Sequence, residues 1–461
     1  MKKIILFKAI AFVACLFCSM GAMAQEAYAV YTSEDSTLTF YYDTQRSSRP
    51  GVAYDLNTET NNPGWMVDST NADVVQVVFD SSFADARPTT TAYWFNDMMR
   101  LRTIVDLENL NTSNVTSMIF MFYRCRSLTS LDLRSFNTAI VGRMYAMFAY
   151  CDKLTSIDLS SFETRWLGDM RYMFHDCKSL KSLDLSNFTT SQVTRMHHLF
   201  AGCESLENLN LSGFSVLNAE DLSYMFYHCY SLKDLDVSSF GRTWATDIHG
   251  MFSFCESLES LDLSNFKPFL ATRMDEMFVC CYNLTSLDVS NFDTSRVIYM
   301  NDMFECCTSL TSLDLTSFKT DQVAKMNYMF YQCHNLATIT VGEGWSTAGL
   351  SDDELFTGYG MFIECYNLVG GKGTTFNADQ VDKAYAHIDG GPDNPGYLTS
   401  GILGDVNEDG IVNIADVAML IDYMLMSDEI DINLANADLD HDQQLTIADV
   451  TDLIDMLISA N

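Results

Sequence analysis

Near its C-terminal end the chain carries two stretches in which oxygen-bearing side chains recur at alternate positions. A twelve-residue calcium loop takes its ligands from positions 1, 3, 5, 7, 9 and 12, with a glycine at position 6 for the turn. The candidate ligands are Asp405, Asn407, Asp409, Ile411 through its carbonyl, Asn413 and Asp416 in the first stretch, and Asp438, Asp440, Asp442, Gln444, Thr446 and Asp449 in the second. A hard cation prefers such an all-oxygen set, so two Ca²⁺ sites are predicted.

Each candidate calcium loop leads into a segment with helical periodicity. Apolar residues at i, i+3, i+4 and i+7 share one face of a helix. The stripes are Val417, Leu420, Ile421 and Met424 after the first loop, and Val450, Leu453, Ile454 and Leu457 after the second. We expect the two stripes to bury each other in a small α-helical domain over residues 402–461, which holds fourteen acidic residues and no Lys or Arg.

Upstream of this domain, a period of 26 residues organises the chain. Nine cysteines stand at that interval: Cys125, Cys151, Cys177, Cys203, Cys229, Cys255, Cys281, Cys307 and Cys333. Met-Phe pairs such as Met121-Phe122 and a second phenylalanine column from Phe136 to Phe318 keep the same spacing. A fixed period in this range is typical of a solenoid.

The unit from Val115 to Phe136 shows what each repeat is expected to form. Its helical spacing is carried by Met118, Met121, Phe122 and Cys125, and its strand-like alternation by Leu131 and Leu133. A unit this small cannot bury its own apolar face, so the units must stack. We therefore expect an α/β solenoid of helix–strand units over residues 94–345, beginning with a degenerate repeat in which Met99 takes the cysteine position.

The segments on either side of the repeats lack the 26-residue signature. Residues 25–93 alternate as strands do, for example at Leu38, Phe40 and Tyr42, and predict a β-rich N-terminal cap. Residues 346–401 contain an atypical last repeat around Cys365, followed by a glycine-rich C-terminal cap and linker. Caps of this kind cover the open ends of a solenoid core.

An acidic column lies between the buried leucines of successive repeats. Its members are Asp132, Asp158, Asp184, Asp236, Asp262, Asp288 and Asp314. Stacked carboxylates about 5 Å apart repel each other by roughly 0.8 kcal/mol at the dielectric constant of water. Two interpretations stay open: a solvated scaffold edge without a ligand, or a face that binds a bridging cation or a basic peptide.

The cysteine column is expected to be core packing, since a free thiol packs as a small hydrophobe. Cys280 and Cys306 differ, because each precedes a column cysteine and the two occupy neighbouring repeats. Strand stacking brings such positions near 5 Å, within reach of a disulfide. Free thiols and a Cys280–Cys306 disulfide are both open alternatives.

Composition narrows the function. The 461 residues are 48% hydrophobic, so a core can form, and the formal charge of −34 excludes nucleic acid or anionic lipid as the main partner. Residues 1–24 carry Lys2 and Lys3, a short apolar run and a small-residue cleavage motif ending at Ala24, which predict a signal peptide. No later segment reaches the length of a transmembrane helix, so we expect an exported protein, extracellular or at the cell surface.

Two resemblances sharpen these expectations. The pattern L-x-x-L-D-L-S-x-F with M-x-x-M-F-x-x-C resembles the BspA-type leucine-rich repeats of bacterial surface proteins, which implies a binding role. The duplicated C-terminal pattern resembles a type I dockerin, although Gln443 replaces the usual glycine of the second loop and Thr446 the usual asparagine. In dockerins, loop positions 10 and 11 help to dock a cohesin, and these correspond to Ile414-Ala415 and Ile447-Ala448.

The leading functional hypothesis is an adhesin-like binding protein without enzymatic activity. Its repeats would bind a host, bacterial or glycan ligand, and its dockerin-like module would tether it to a cohesin-like protein. The alternative is a non-catalytic component of a polysaccharide-degrading cohesin–dockerin assembly. An enzyme is not expected, because the chain shows no nucleophile elbow, no metalloprotease histidine motif and no carboxylate pair outside the repeating columns.

Overall fold

The computed structural model describes residues 24–58, 61–350, 358–426, 430, 432–440 and 444–459. Nearly all of the predicted signal peptide, together with Asp442 and Gln443 of the second calcium loop, lies outside the described residues. Among the described helices, none combines the length and the apolar composition needed to cross a bilayer.

The N-terminal region is a five-stranded sheet that continues into the repeats. Its strands are β1 (Glu26–Thr32), β2 (Thr37–Asp43), β3 (Val52–Asp55), β4 (Gln76–Phe79) and β5 (Thr103–Val105), in the order β3-β1-β2-β4-β5. A one-turn helix, α1 (Gly64–Val67), brings Trp65 onto Phe40, and the two buried rings meet edge to face. Because β5 is parallel to β4, the cap covers the core with the same strand direction that the repeats use.

The repeats form a stack of parallel coils. The strands are β6 (Ser130–Asp132), β7 (Ser156–Asp158), β8 (Ser182–Asp184), β9 (Asn208–Asn210), β10 (Ser312–Leu315), β11 (Thr338–Val341) and β12 (Thr399–Ser400). β6 pairs with β7, β8 with β9, and β10, β11 and β12 form one sheet, all parallel. Between β6 and β11 each pairing joins residues 26 apart, so one repeat is one turn of the solenoid.

The prediction of an α-helix in each repeat is wrong. The segment around Met118 to Cys125 is a run of turns, and the described repeats contain no α-helix. Two residues in it, Phe120 and Arg124, have left-handed backbone with φ of 54° and 57°, and the same two positions recur in the following coils. A non-glycine residue pays for this conformation, so it persists only where the surroundings impose it.

Hydrogen bonds between coils impose that backbone. The backbone N–H groups of Met118 and Phe120 donate to the carbonyls of Arg143 and Tyr145, 25 residues ahead in the next coil, at 3.0 and 2.9 Å. The N–H of Met121, by contrast, donates to Met118 O within its own turn. In an α-helix the N–H groups beyond the first turn donate to carbonyls of the same helix, so they would not be available to bond the next coil. Consecutive turns place residues i, i+3, i+4 and i+7 inward much as a helix does, so the apolar spacing alone did not distinguish them.

Two ladders of side chains fill the core as the sequence columns indicated. The phenylalanine rings from Phe122 to Phe330 stack on one another at centroid distances of 5.5–5.8 Å. Each column thiol donates to a phenylalanine carbonyl of the preceding coil, as Cys151 does to Phe122 O at 3.2 Å. The first coil is offset by one residue from the prediction: Met98 is buried, whereas Met99 is 41% exposed.

A third ladder, of threonines, was not predicted. Each threonine hydroxyl bonds both backbone groups of one residue in the next coil. Thr190, for example, donates to Ser215 O at 2.8 Å and accepts from Ser215 N at 2.7 Å. The others of this kind are Thr112, Thr138, Thr164, Thr294 and Thr320. Their 26-residue spacing was the available signal, but hydroxyl residues are common on exposed faces, so the spacing alone indicated no buried role.

Thr190→Val is expected to lower the free energy of unfolding by about 2 kcal/mol, because it leaves the buried N–H of Ser215 without its acceptor at nearly constant volume. Urea unfolding followed by circular dichroism measures the change. The matched control is Thr155→Val, whose hydroxyl bonds Thr129 O at 3.1 Å in an exposed position and should cost less than about 0.5 kcal/mol. Equal effects of the two variants would contradict a special role for the buried ladder.

The C-terminal end of the solenoid is closed by the atypical last repeat and a buried carboxylate. Phe362 stacks on Phe330 at 5.6 Å, and Cys365 donates to Phe330 O at 3.0 Å, so the longer spacing is absorbed without loss of the core ladders. Asp389, with no exposed surface, accepts from the backbone N–H groups of Lys372, Thr374 and Gly391 at 2.9 Å. The Asp389 carboxylate thereby links separate parts of the glycine-rich segment to one another.

The C-terminal module consists of α2 (Ile414–Met426), α3 (Leu434–Ala437) and α4 (Ile447–Ser459). Its core is Val406, Val417, Leu420, Ala437, Val450 and Leu453. The predicted stripes are only partly buried: Ile421, Met424 and Ile454 are each 37% exposed. Two short helices have too little facing surface to cover four residues each, so part of each stripe is left at the surface.

Candidate calcium site and binding surfaces

The first candidate calcium loop is folded around two buried carboxylates. Asp405 at position 1 accepts from the N–H groups of Asp409 and Gly410, both at 3.0 Å. Asp416 at position 12 lies in the first turn of helix α2 and accepts from Asn407 N at 3.1 Å and Asn413 N at 2.8 Å. Gly410 has φ of +84°, the left-handed turn that the pattern predicts. The backbone therefore holds both ends of the loop in place.

The second candidate loop gathers its acids more closely. Among the residues that the structure describes, Asp438, Asp440 and Asp449 are the acidic group whose oxygen atoms, all within 4.8 Å of one another, are close enough to share one cation. Asp449 lies in the first turn of α4 as Asp416 does in α2, and it accepts from Leu439 N and Thr446 N at 2.8 Å. Gln444, the position-7 residue, is exposed. Although the second loop departs from the usual pattern at Gln443 and Thr446, three of its carboxylates lie close together.

Burial and repulsion act on these carboxylates in ways that a cation would relieve. Burial raises the pKa of Asp405, the nearby Asp416 carboxylate adds to the rise, and hydrogen bonds from Ser400 and Gly410 offset only part of it. Burial acts in the same direction on Asp449, but the N–H groups of Thr446 and Leu439 outweigh it and lower its pKa. Buried oxygen ligands with no basic residue nearby in sequence fit a hard divalent ion such as Ca²⁺.

The four residues predicted for partner binding are all exposed. Ile414 is 73% exposed at the start of α2, and Ile447 is 70% exposed at the equivalent start of α4. Ala415 and Ala448 follow them, also at the surface. Exposed large apolar side chains at matched positions are typical of a docking surface.

The module is attached to the solenoid through a residue that contacts the calcium loop. Ser400 ends β12, which pairs with β11 of the solenoid, and its hydroxyl donates to the carboxylate of Asp405. Its carbonyl accepts from the side-chain amides of Asn433 and Asn436, both at 3.2 Å. The predicted linker is therefore an ordered strand between the last coil and the first loop.

The acidic column has a structural role in the strands. Each carboxylate accepts from the backbone N–H two residues later at 2.9–3.2 Å, which forms an Asx turn. Hydrogen bonds from the side chain and backbone of that later residue lower the pKa of six of the seven, and the Arg134 side chain brings the pKa of Asp132 to about 2. The turn accounts for an aspartate, or Asn210 in its place, at this position of successive coils, and a ligand role for this face stays a prediction.

Asp288→Asn is expected to lower the melting temperature slightly at pH 7, because the neutral amide oxygen still accepts from Ser290 N but more weakly than the carboxylate, whereas Asp288→Ala should lower it further. Hydrogen bonds from the Ser290 side chain and backbone depress the pKa of Asp288. Its stabilising contribution is therefore complete above the unfolded pKa of about 3.9 and is lost as the pH falls through the lower folded value. Thermal melts from pH 7 to pH 3 test this, with the exposed Glu259→Ala as charge control.

Comparison with known families adds two findings. A family model described as "Mycoplasma protein of unknown function, DUF285" matches residues 89–183, 151–266 and 246–358, which together span more than half of the chain. A model described as "Dockerin type I domain" matches residues 403–458. None of the curated proteins matches the chain.

Solved structures of leucine-rich repeat proteins are similar over much of the chain. A leucine-rich cell surface protein from Faecalibacterium prausnitzii is 14% identical, with a TM-score of 0.32, over 68% of this chain and 93% of that one. A leucine-rich repeat protein from Eubacterium ventriosum is also 14% identical, with a TM-score of 0.28, over 71% and 91%.

Proposed function

This chain belongs to the DUF285 family through its repeats and carries a type I dockerin domain after them. From this premise we propose that it is a non-catalytic bacterial binding protein, extracellular or surface-exposed. The repeats bind a host, bacterial or glycan ligand. The calcium-loaded dockerin domain tethers the chain to a cohesin-like partner. The absence of recognisable catalytic motifs from the sequence supports a binding role.

The observation that carries the tethering role is the duplicated Ile-Ala pair. The two pairs start equivalent helices, each directly before a buried position-12 aspartate, and each leaves its isoleucine at least 70% exposed. Exposure of the two isoleucines to water does not stabilise the chain. Burial of their side chains against an apolar partner surface would stabilise the complex by about 25 cal/mol per Å² of apolar area buried. Because the two surfaces are alike, a partner can dock on either of them.

A second candidate function is favoured by the dockerin domain itself. The chain then serves as a non-catalytic component of a polysaccharide-degrading assembly, with the repeats holding the complex against its substrate. Binding of the full chain to an array of plant and host glycans and host matrix proteins separates the two roles. Retention by plant polysaccharides alone supports the assembly role, and retention by host proteins supports adhesion.

Ile414→Asp combined with Ile447→Asp is expected to weaken binding of the full chain to a type I cohesin module at least tenfold in the presence of Ca²⁺. Each single substitution should have a small effect, because the other pair remains available. Surface plasmon resonance against a panel of immobilised type I cohesin modules gives the affinities.

Ile458→Asp is the matched control, since Ile458 is 67% exposed on the same helix as Ile447 but at its opposite end. The control variant should bind as the unmodified chain does. Failure of the unmodified chain to bind any module with Ca²⁺, or equal loss in the control variant, would overturn the tethering role.

A further inference from the structure

Two cysteines lie outside the core ladder of thiols. Cys280 and Cys306 occupy the left-handed position of neighbouring coils, with φ of 56° and 59°. The same position holds a polar or aromatic residue in most other coils, among them Arg124, Tyr150, Asp176, His228 and Gln332. The core therefore does not require a small apolar residue there, and the two thiols need another explanation.

The coil stacking brings these two cysteines together. Cys280 N donates to Glu305 O at 2.8 Å, and Cys306 N donates to Tyr331 O at 2.7 Å, so successive coils are in register at this point. Adjacent coils stack about 4.8 Å apart, inside the Cα separation that a disulfide tolerates. The two side chains share one small cluster with Val279 and Phe254.

Their surroundings differ from those of the ladder thiols. Cys280 and Cys306 are 6% and 7% exposed, whereas their chain neighbours Cys281 and Cys307 have no exposed surface. Each ladder thiol is committed to a phenylalanine carbonyl, as Cys281 is to Phe252 O at 3.3 Å. Burial raises the pKa of Cys281 to about 12, which leaves it unreactive.

The two outer thiols have different partners. Cys306 Sγ donates to Gln332 Oε1 at 3.0 Å, and its interaction with Cys280 lowers the pKa of the Cys280 thiol. The thiolate is the reactive form of cysteine and the Cys306 thiol keeps its proton for Gln332, so Cys280 is the attacking group and Cys306 the resolving group.

We propose that Cys280 and Cys306 form a dithiol just beneath the surface that an external disulfide oxidises to a bond between two neighbouring coils. The Cys280 thiolate attacks one sulfur of the external disulfide, which breaks its S–S bond, forms a mixed disulfide and releases one thiolate. The Cys306 thiol loses its proton and attacks the Cys280 sulfur, which releases the second external thiol. The protein dithiol loses two electrons and two protons, and the external disulfide becomes two thiols.

Closure staples two coils of the solenoid across a 26-residue loop, since residues 280 and 306 stand one repeat apart. The link restricts the unfolded chain and is expected to raise the melting temperature of the repeats. It needs no rearrangement of the coils, because the two side chains already belong to one cluster on neighbouring coils in register.

The full chain, purified with reductant and then treated with oxidised glutathione, provides the test. After denaturation and alkylation, ten of the twelve cysteines between residues 125 and 365 should take up reagent, and all twelve without oxidation. Peptide mapping without reductant should recover a fragment pair joined through Cys280 and Cys306. Intact mass should fall by two hydrogens.

Cys280→Ser and Cys306→Ser should each abolish the link, and Cys281→Ala, which removes a ladder thiol, should retain it. The mapping of the unmodified chain stands even where a variant fails to fold. Twelve alkylated cysteines after oxidation, a stable mixed disulfide with glutathione, or a link through any ladder cysteine would each overturn the proposal.

Discussion

Ca²⁺ at one hundred times its dissociation constant is expected to raise the free energy of unfolding of the C-terminal domain by about 2.7 kcal/mol for each site that it fills, because the ion binds the folded loops and not the unfolded chain. In the first loop the physical source is relief of the burial of Asp405 and of its repulsion by Asp416. Thermal melts of the full chain with Ca²⁺ and with chelator measure the shift. Calorimetric titration should show two ions bound per chain.

Asp416→Asn should reduce the uptake to one ion, since it removes a buried charged ligand of the first loop while keeping an oxygen acceptor for Asn413 N. Asp422→Asn is the control, because Asp422 lies exposed on the same helix and its loss changes the charge equally. The site assignment fails if calorimetry detects no calcium uptake, or if both variants reduce it to the same extent.

Asp389→Ala is expected to cost about 3 kcal/mol at the C-terminal end of the solenoid, because it leaves several buried backbone N–H groups without an acceptor. Hydrogen exchange over residues 372–396 should speed up markedly, and urea unfolding should begin at lower concentration. Asp393→Ala, four residues away and exposed, removes the same charge and should change neither measurement.

The same carboxylate makes the cap sensitive to acid. Burial by itself would raise the pKa of Asp389, but hydrogen bonds from Thr374, Gly391 and Gly396 outweigh it and hold the pKa below its usual value. The stabilisation is therefore complete above the unfolded pKa of about 3.9 and disappears as the pH falls through the folded value. The difference in stability between the unmodified chain and Asp389→Ala should shrink over that range, and a constant difference would contradict the mechanism.

The expectations that depended on repetition agree with the structure. The Cys, Phe and Leu columns are buried, because a residue repeated in every coil meets its own copy at the same depth. The backbone conformation within each coil could not be predicted from the sequence in the same way. Met118, Met121 and Cys125 face inward from turns as they would from a helix, and their spacing does not specify the backbone.

Features without repetition, or with a second plausible role, were missed. Asp389 is a single acid in a glycine-rich segment, and nothing in its neighbours marks it as buried. The threonine ladder repeats every 26 positions, but no role was assigned to it from the sequence, because a hydroxyl residue at that spacing is compatible with either face of a coil. Among the described residues, the three carboxylates close enough to share a cation are Asp438, Asp440 and Asp449, which the sequence pattern includes among its predicted ligands.

The sequence by itself determined the repeat length and the residues that form the core, because these depend on spacing along one chain; the oxygen ligands of two calcium loops are predicted from the same kind of spacing. The tertiary structure decided the turn-rich backbone, the buried hydroxyl and carboxylate networks, and the contact between Ser400 and Asp405. These depend on hydrogen bonds between residues brought together by stacking, such as Met118 and Arg143, whose pairing exists only once the next coil is in place. Local spacing therefore specified what is buried, and contacts between coils specified how its polar groups are satisfied.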